Sequence, residues 1–391
     1  MRKIIIIYLF VCSISCIEPF DYKVNDYDQN LVVEAILTNE DKHHQVKLTY
    51  TSPINDQEEI FATGAKVNIT SSNNETISFE EIEPGIYQTI NKVRGQIGIE
   101  YKLNINTKED RVYESSLEKL PESAPITSLY ARFENVPSAE LNRNEGGIQF
   151  FIDTELNNGP GYFRYEWEET YLIVVPYPSE LSFNLADCTF VEREEIISRC
   201  YQNRYSEGLL IANSNSNELN NIRAFPLHFI GNESESDAPY RLRHRYSLLA
   251  KQYNINSSTY EYYRKLKAAN ESGGSLFDEQ QGAITGNINS VTDDGEAVLG
   301  NFEVSSVTSK RNFFNPEDFN APFERPDNLF DCPFGQEIFP PGDSLLYYIT
   351  TGFYDVYKRT EGFGATLYIG TKNCVRCDHF ANPDKPDYWI D

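Results

Sequence analysis

Cys374-Val375-Arg376-Cys377-Asp378-His379 is the one stretch of this 391-residue chain whose spacing suggests a metal. Two cysteines three positions apart, with a histidine close by, offer ligands to tetrahedral zinc, and Cys332 could add another thiolate. Disulfide formation is the competing chemistry, and the distribution of cysteines favours it. Of seven cysteines, Cys12 and Cys16 belong to the N-terminal stretch, leaving Cys188, Cys200, Cys332, Cys374 and Cys377. Cys188 and Cys200 bracket a short loop and read as natural partners. Cys332 is expected to join Cys374 or Cys377, which ties down the tail and leaves one thiol over. Neither a metal nor a cofactor is expected.

Cys16 carries a different chemistry. Met1-Arg2-Lys3 is cationic, Ile4 to Cys12 is apolar, and Ser13-Ile14-Ser15 leads into the cysteine. This reads as a secretory signal peptide over 1–15, too short to span a bilayer as a mature helix. Ser-Ile-Ser-Cys is similar to a bacterial lipobox, with Ser13 where leucine is usual. Cleavage before Cys16 and acylation of that residue would follow, and several acyl chains anchor a protein stably where one does not. An ordinary secreted protein is the alternative. Residues 16–30 then form an acidic tether carrying Glu18, Asp21, Asp26 and Asp28.

Tyr240 to Tyr246 alternates, and a strand there would place Arg241, Arg243 and Arg245 on one face. A guanidinium presents paired donors to a carboxylate, so such a stripe could grip a partner's acids. Pairing with the chain's own Glu and Asp is the plainer use. The formal net charge is −25, which disfavours nucleic acid and anionic headgroups as partners. Membrane attachment is therefore expected from lipid and not from a basic patch. Signatures of catalysis are missing: no Gly-x-Ser-x-Gly, no His-Glu-x-x-His and no phosphate loop. A Ser–His–Asp triad needs no local spacing, and nothing marks one among His43, His44, His228, His244 and His379. The chain reads as non-enzymatic, with a surface hydrolase as a lesser alternative.

The elements that must hold these residues are mainly β. Phe and Tyr together number 50 against a single Met, a bias that suits antiparallel sheet. Gln45–Tyr50 and Tyr101–Ile105 alternate cleanly, with further short strands over 65–70, 76–79 and 86–90. This predicts an N-terminal Ig-like or carboxypeptidase-regulatory-like β-sandwich over 31–120. Leu120 to Pro125 reads as a linker. A larger antiparallel β domain follows over 126–391, with strands near 148–152, 162–167 and 171–175. Its one short helix falls near 258–271, opened by a Ser258/Glu261 capping box and stopped by Gly273-Gly274. That helix is expected to cover one face of a sheet. Ile284–Ile288 and Val298–Phe302, around Asp294-Gly295, read as a hairpin. Residues 313–341 read as irregular, and the polar loops 213–221 and 231–239 as places where binding surfaces sit.

Several stretches together resemble a known family. They are Leu31-Val32-Val33-Glu34-Ala35 after the lipobox, Tyr260-Glu261-Tyr262-Tyr263, Gly274 to Asp278, Gly286-Asn287-Ile288, Val298-Leu299-Gly300 with Phe302, Cys374-Val375-Arg376-Cys377, and Lys385 to Trp389. In this order the chain resembles the Bacteroidota lipoproteins grouped as domain of unknown function 4249. Asn301 stands where the family usually has an aromatic, and Phe380-Ala381-Asn382 where it has Gly-Gly. The resemblance implies an outer-membrane lipoprotein facing the exterior, anchored through Cys16, beside a TonB-dependent transporter barrel whose ligand it helps to capture. It supplies no catalytic residues. The alternative is a stand-alone surface module that binds glycan or protein, or acts in adhesion.

Overall fold

The computed structural model describes residues 29–52, 58–156, 161–184, 186–187, 189–214, 221–271, 284–333, 336–338, 343–360 and 366–391. Cys16, Cys188 and the Gly273-Gly274 helix stop lie outside the described residues, as do the lipobox and most of the tether. Nine strands come first: β1 (Leu31–Thr38), β2 (Gln45–Tyr50), β3 (Ile60–Phe61), β4 (Lys66–Ser71), β5 (Thr76–Glu83), β6 (Ile86–Thr89), β7 (Glu100–Asn106), β8 (Val112–Ser115) and β9 (Glu118–Lys119). Alternation decides their faces, since successive strand side chains point to opposite sides. Leu31, Val33, Ala35 and Leu37 of β1 turn inward, with Val46 and Leu48 of β2, Val67 and Ile69 of β4, and Tyr101, Leu103 and Ile105 of β7.

The second part opens with β10 (Ile126–Ser138), β11 (Arg143–Thr154) and β12 (Tyr162–Val174). β12 is one continuous strand where two were expected, because Glu168 to Thr170 stay paired on both sides. Then come β13 (Leu181–Asn184), β14 (Thr189–Glu192), β15 (Arg199–Tyr205), β16 (Leu210–Asn213), β17 (Ile222–Gly231), the single turn α1 (Ala238–Arg241), β18 (Tyr246–Ile255) and α2 (Ser257–Glu271). After these lie β19 (Ile288–Ser290), β20 (Leu299–Phe314), β21 (Gln336–Ile338), α3 (Asp343–Thr350), β22 (Tyr354–Arg359), β23 (Leu367–Thr371) and α4 (Lys372–Val375). The fold is mainly β. Between β20 and β21 the described residues form only a 3-10 turn over Pro316–Phe319, close to the irregular stretch expected there.

One sheet runs through both parts, in the order β15-β12-β18-β20-β1-β2-β6-β5-β4-β7-β8-β19. Its joint is β20, whose 16 residues serve two neighbours. Leu299–Ser305 pairs with Val32–Thr38, and Ser306–Phe314 pairs with Tyr246–Asn254. The β1–β20 ladder is parallel, against the expectation of a purely antiparallel fold. A parallel neighbour needs a long return path, and the many residues between β1 and β20 provide one. The N-terminal core is accordingly completed by Ile288, Val298, Phe302 and Val304.

The expected hairpin around Asp294-Gly295 forms no ladder, and its two arms meet in an isolated antiparallel bridge from Thr285 to Leu299. β19 pairs with β8, and β20 with β1 and β18. Gly300 explains the choice. Its φ is +96°, and a Cβ there would lie 1.9 Å from the Val33 carbonyl oxygen, so only glycine lets β1 come this close. Asn287 completes the joint with its side chain: it accepts from Phe302 N–H at 2.8 Å and donates to Phe302 C=O at 2.9 Å. The 120–125 stretch is not a free linker either. Gln252 and Thr308 side chains donate to Ala124 C=O, and Asn254 donates to Glu122 C=O, which lays it across the sheet.

The second core fills the space between the β12-β18-β20 part of the large sheet and a three-stranded sheet, β10-β11-β17. Phe150 sits at its centre, ringed by Tyr246, Phe314 and Phe319 at 5.2–6.2 Å. α2 covers the opposite face of the large sheet through Tyr260 and Tyr263, as expected of it. Its start differs from the expected capping box. Ser258 turns to Glu118 and Glu261 pairs with Arg264, while Asn256 C=O accepts from Tyr260 N–H. A small satellite of β13–β14, α3 and β21-β23-β22 is held by Val356, Leu367 and Ile369. Among the described residues no helix is long and apolar enough to cross a membrane.

Candidate functional site

The three arginines do not share a strand face. Pro239 sets up a helical turn, because its fixed φ suits a first helical position, and Asp237 C=O accepts from Arg241 N–H. β18 begins only at Tyr246. Arg241 turns into the protein, Arg243 pairs with Asp327, and Arg245 donates to Asn315 Oδ1 at 3.0 Å while lying 5.0 Å from the Phe313 ring centre. Arg241 and Arg243 therefore meet the chain's own acids, without the strand.

Arg241 belongs to a network centred on Glu169, a residue that composition and motifs did not single out. Glu169 lies on the inward face of β12 with no exposed surface. Arg241 Nη1 donates to its Oε1 at 2.7 Å, and the Tyr246 hydroxyl donates to Oε2. His228 Nε2 stands 3.0 Å from Oε2; an ionised carboxylate only accepts, so that nitrogen donates. Burial by itself would raise the Glu169 pKa. The bonds from His228, the Arg241 charge and the Tyr246 hydroxyl outweigh it and hold the group down to about 2. Trp167 stacks on the His228 ring at 3.7 Å. Outward, Arg241 and Arg204 both reach Glu235, and Arg204 also reaches Asp237. A carboxylate this acidic and this fully bonded is a poor proton acceptor near neutral pH.

The other face of β12 carries a second network. Arg164 donates from Nε and Nη2 to the two oxygens of Glu303 at 3.0 and 3.1 Å, a fork on a carboxylate. Tyr263 of α2 and Ser305 also donate to Glu303, each at 2.7 Å. The Arg164 guanidinium lies 3.9 Å from the Tyr253 ring centre. Glu303 thus ties β20 to β12 and to the helix above them. Farther along the same face, Glu168 accepts from Arg311 and Tyr388 at 3.2 Å, and Arg311 stacks on the Tyr388 ring. The signal for these residues was present in Tyr162–Val174, where four charged groups interrupt an otherwise buried strand.

Two disulfides fix the C-terminal part. Cys332 joins Cys374, one of the two pairings expected. Cys200 joins Cys377 and not Cys188, a correction with a simple cause. β15 forms the sheet edge, and the tail adds to that edge through backbone bonds between Tyr201 and Asn382, which brings Cys377 alongside. With Cys374 and Cys377 oxidised, the zinc alternative has no thiolates left. Among the described residues no group of three or more His, Cys, Asp or Glu could hold a metal. Trp389, near the end of the tail, packs edge-on against Tyr201 and Phe313.

Along β12, beside the β15–β16 connection, lies an open hollow of about 250 Å³. Glu166, Glu168, Lys251, Tyr205, Ser206 and Gly208 line it. Tyr205 is 63% exposed, and Glu166 is held below its usual pKa, against the effect of burial, by the Arg164 charge first, then by bonds from Tyr253 and Arg164 and by the Lys251 charge.

Fold and networks together define a mainly β, disulfide-bonded protein whose buried ionisable groups are largely paired. Residues 17–311, about three-quarters of the chain, match the model of the family described as Domain of unknown function (DUF4249), and the chain belongs to that family. The match takes in both networks and ends within β20, short of Cys332, Cys374, Cys377 and Trp389. A comparison with curated proteins finds no match.

Proposed function

We propose that this protein is a non-enzymatic, lipid-anchored lipoprotein of the outer surface, working as the ligand-capture partner of a TonB-dependent transporter barrel. One observation carries the reading: β20 starts beside the point where the tether meets the fold and ends beside the Arg241–Arg245 turn. Its 16 residues correspond to about 50 Å of extended strand. Gln29 and Asn30, where the tether meets the fold, lie against Thr292 to Ala297 just before β20 begins. Phe314, at the other end, pairs with Tyr246 next to the Arg241–Arg245 turn and the Glu235–Asp237 loop. An anchor at Cys16 would therefore present those loops away from the membrane. The disulfides suit an oxidising compartment.

The test is purification of the tagged full chain from its native membrane in mild detergent, with mass spectrometry of the lipid and of any companion. A transporter barrel in stoichiometric amount is expected. Lipid-free protein, or lipidated protein without any barrel, refutes the partnership. A stand-alone ligand-binding module is the second reading. The hollow beside Tyr205 favours it, because that site is complete within one chain, and ligand binding by the isolated ectodomain would support it.

A further inference from the structure

The end of β20 remote from the tether brings several arginines near one another, with the acids of 317–331 alongside. Arg199 opens β15 opposite Val174, Arg243 and Arg245 precede β18, and Arg325 reaches back to the same turn. Their own partners are weak. Arg243 meets Asp327, whose side chain is 79% exposed. Arg245 is bonded to an amide, Asn315, and Arg325 to the carbonyls of Leu242 and Pro316. Among the described residues no carboxylate comes within ion-pair distance of Arg199, Arg245 or Arg325. Arg245 Nε and His244 Nε2 have no hydrogen-bond partner at all.

Two groups sense the resulting positive field. His244 is held below its usual pKa by burial first, then by the charges of Arg243 and Arg199. Asp391 is held below its usual value by the Lys385 ammonium 2.6 Å away, with Arg199 and Arg245 contributing. Its side chain is 66% exposed, so it is a loosely held internal carboxylate sitting where an external one would fit. Nearby, Trp389 anchors the segment and Ile390 stays exposed.

We propose that Arg199, Arg243, Arg245 and Arg325, with Lys385, form a docking surface for an acidic segment of a partner protein, and that Asp391 competes for it. The inference rests on the proposed function only for the orientation of this end away from the membrane. Guanidinium forks match carboxylates in pairs, and a cationic surface on an acidic protein selects against most neighbours by repulsion elsewhere. An extended acidic chain can set successive carboxylates against these arginines, beside the position that Asp391 holds next to Lys385.

The experiment measures binding of a short fluorescein-labelled polyglutamate peptide to the full chain by anisotropy, at low and physiological salt. A polyglutamine peptide and a sulfated polysaccharide serve as comparisons. The expected result is salt-weakened binding of the glutamate peptide, reduced about tenfold or more in Arg199→Gln/Arg245→Gln. Asp391→Asn should tighten binding a few-fold by removing the internal competitor, a change that mere loss of folding could not produce. Equal binding of polyglutamine, an unaffected double variant, or binding of the polysaccharide alone overturns the inference. If a barrel co-purifies and the double variant keeps it, the docking surface fails while the transporter reading stands. If the peptide binds as described and no barrel is found, the reverse holds.

Discussion

Replacing Glu169 by Gln keeps the shape of the central side chain and removes its charge. In the folded protein the carboxyl is held down from the usual 4.5 to about 2, against burial that acts the other way. That difference corresponds to ~3 kcal/mol in favour of the folded, ionised state. It agrees with the roughly 3–5 kcal/mol lost when one partner of a buried ion pair is removed. The sign follows from a depressed pKa. The stabilisation is complete above the unfolded value and disappears as pH falls from about 5 towards about 2. Glutamine cannot titrate, so the gap between wild type and variant should be widest near pH 7 and nearly closed at about pH 2. Urea unfolding at a series of pH values, followed by tryptophan emission, measures it. Trp167, stacked on His228 in the same network, is one of only two tryptophans and reports on the site directly. A gap that stays constant with pH, or one under about 1 kcal/mol at pH 7, would refute the electrostatic account of this core.

Other consequences are as definite. Gly300→Ala should cost about 3 kcal/mol or more, since the residue adopts positive φ and its Cβ would strike the Val33 carbonyl; a wild-type urea midpoint would refute the close β1–β20 approach. Peptide mapping without reduction should recover Cys200 linked to Cys377 and Cys332 linked to Cys374; a Cys188–Cys200 fragment contradicts the fold of the tail. Cys332→Ser opens a loop of 42 residues and should cost up to about 4 kcal/mol, with faster proteolysis of the 366–391 segment as the readout. Tyr263→Phe removes one donor from Glu303 and should cost about 1–2 kcal/mol in thermal unfolding; no change would mean that α2 is not bonded to the sheet there.

What was legible in the sequence was whatever depends on period and local chemistry. The two-residue alternation of β1, β2 and β7 and the helix α2 on one face of the sheet appear where the residues place them, although the side chains that pack are Tyr260 and Tyr263 and not the Tyr262, Leu266 and Ala269 stripe that helical spacing suggests. What failed depended on long-range choice. Asp294-Gly295 is a sound hairpin signal, yet β1 is a better neighbour for β20 than β19 is, and only the approach at Gly300 shows why. Alternation over Tyr240–Tyr246 was outweighed by Pro239, a residue with a stronger local rule. Cys188 and Cys200 are close in sequence, but the tail supplies the nearer sulfur. Glu169 and Glu303 were visible only as acids in strands with buried neighbours, and their partners come from β17, β18, α1, β12 and α2.

The pairing of β1 with β20 sets an order of events for folding. Asn39 and Val307, joined by a hydrogen bond beside this ladder, are 268 residues apart in sequence. The apolar edge of Leu31–Leu37 must therefore wait for a partner until most of the chain is available, and contacts of such separation make folding slow. An exposed apolar edge during that interval is an aggregation hazard. A folding assay started from the full denatured chain should show its N-terminal core gaining protection late, in step with β20 and not ahead of it.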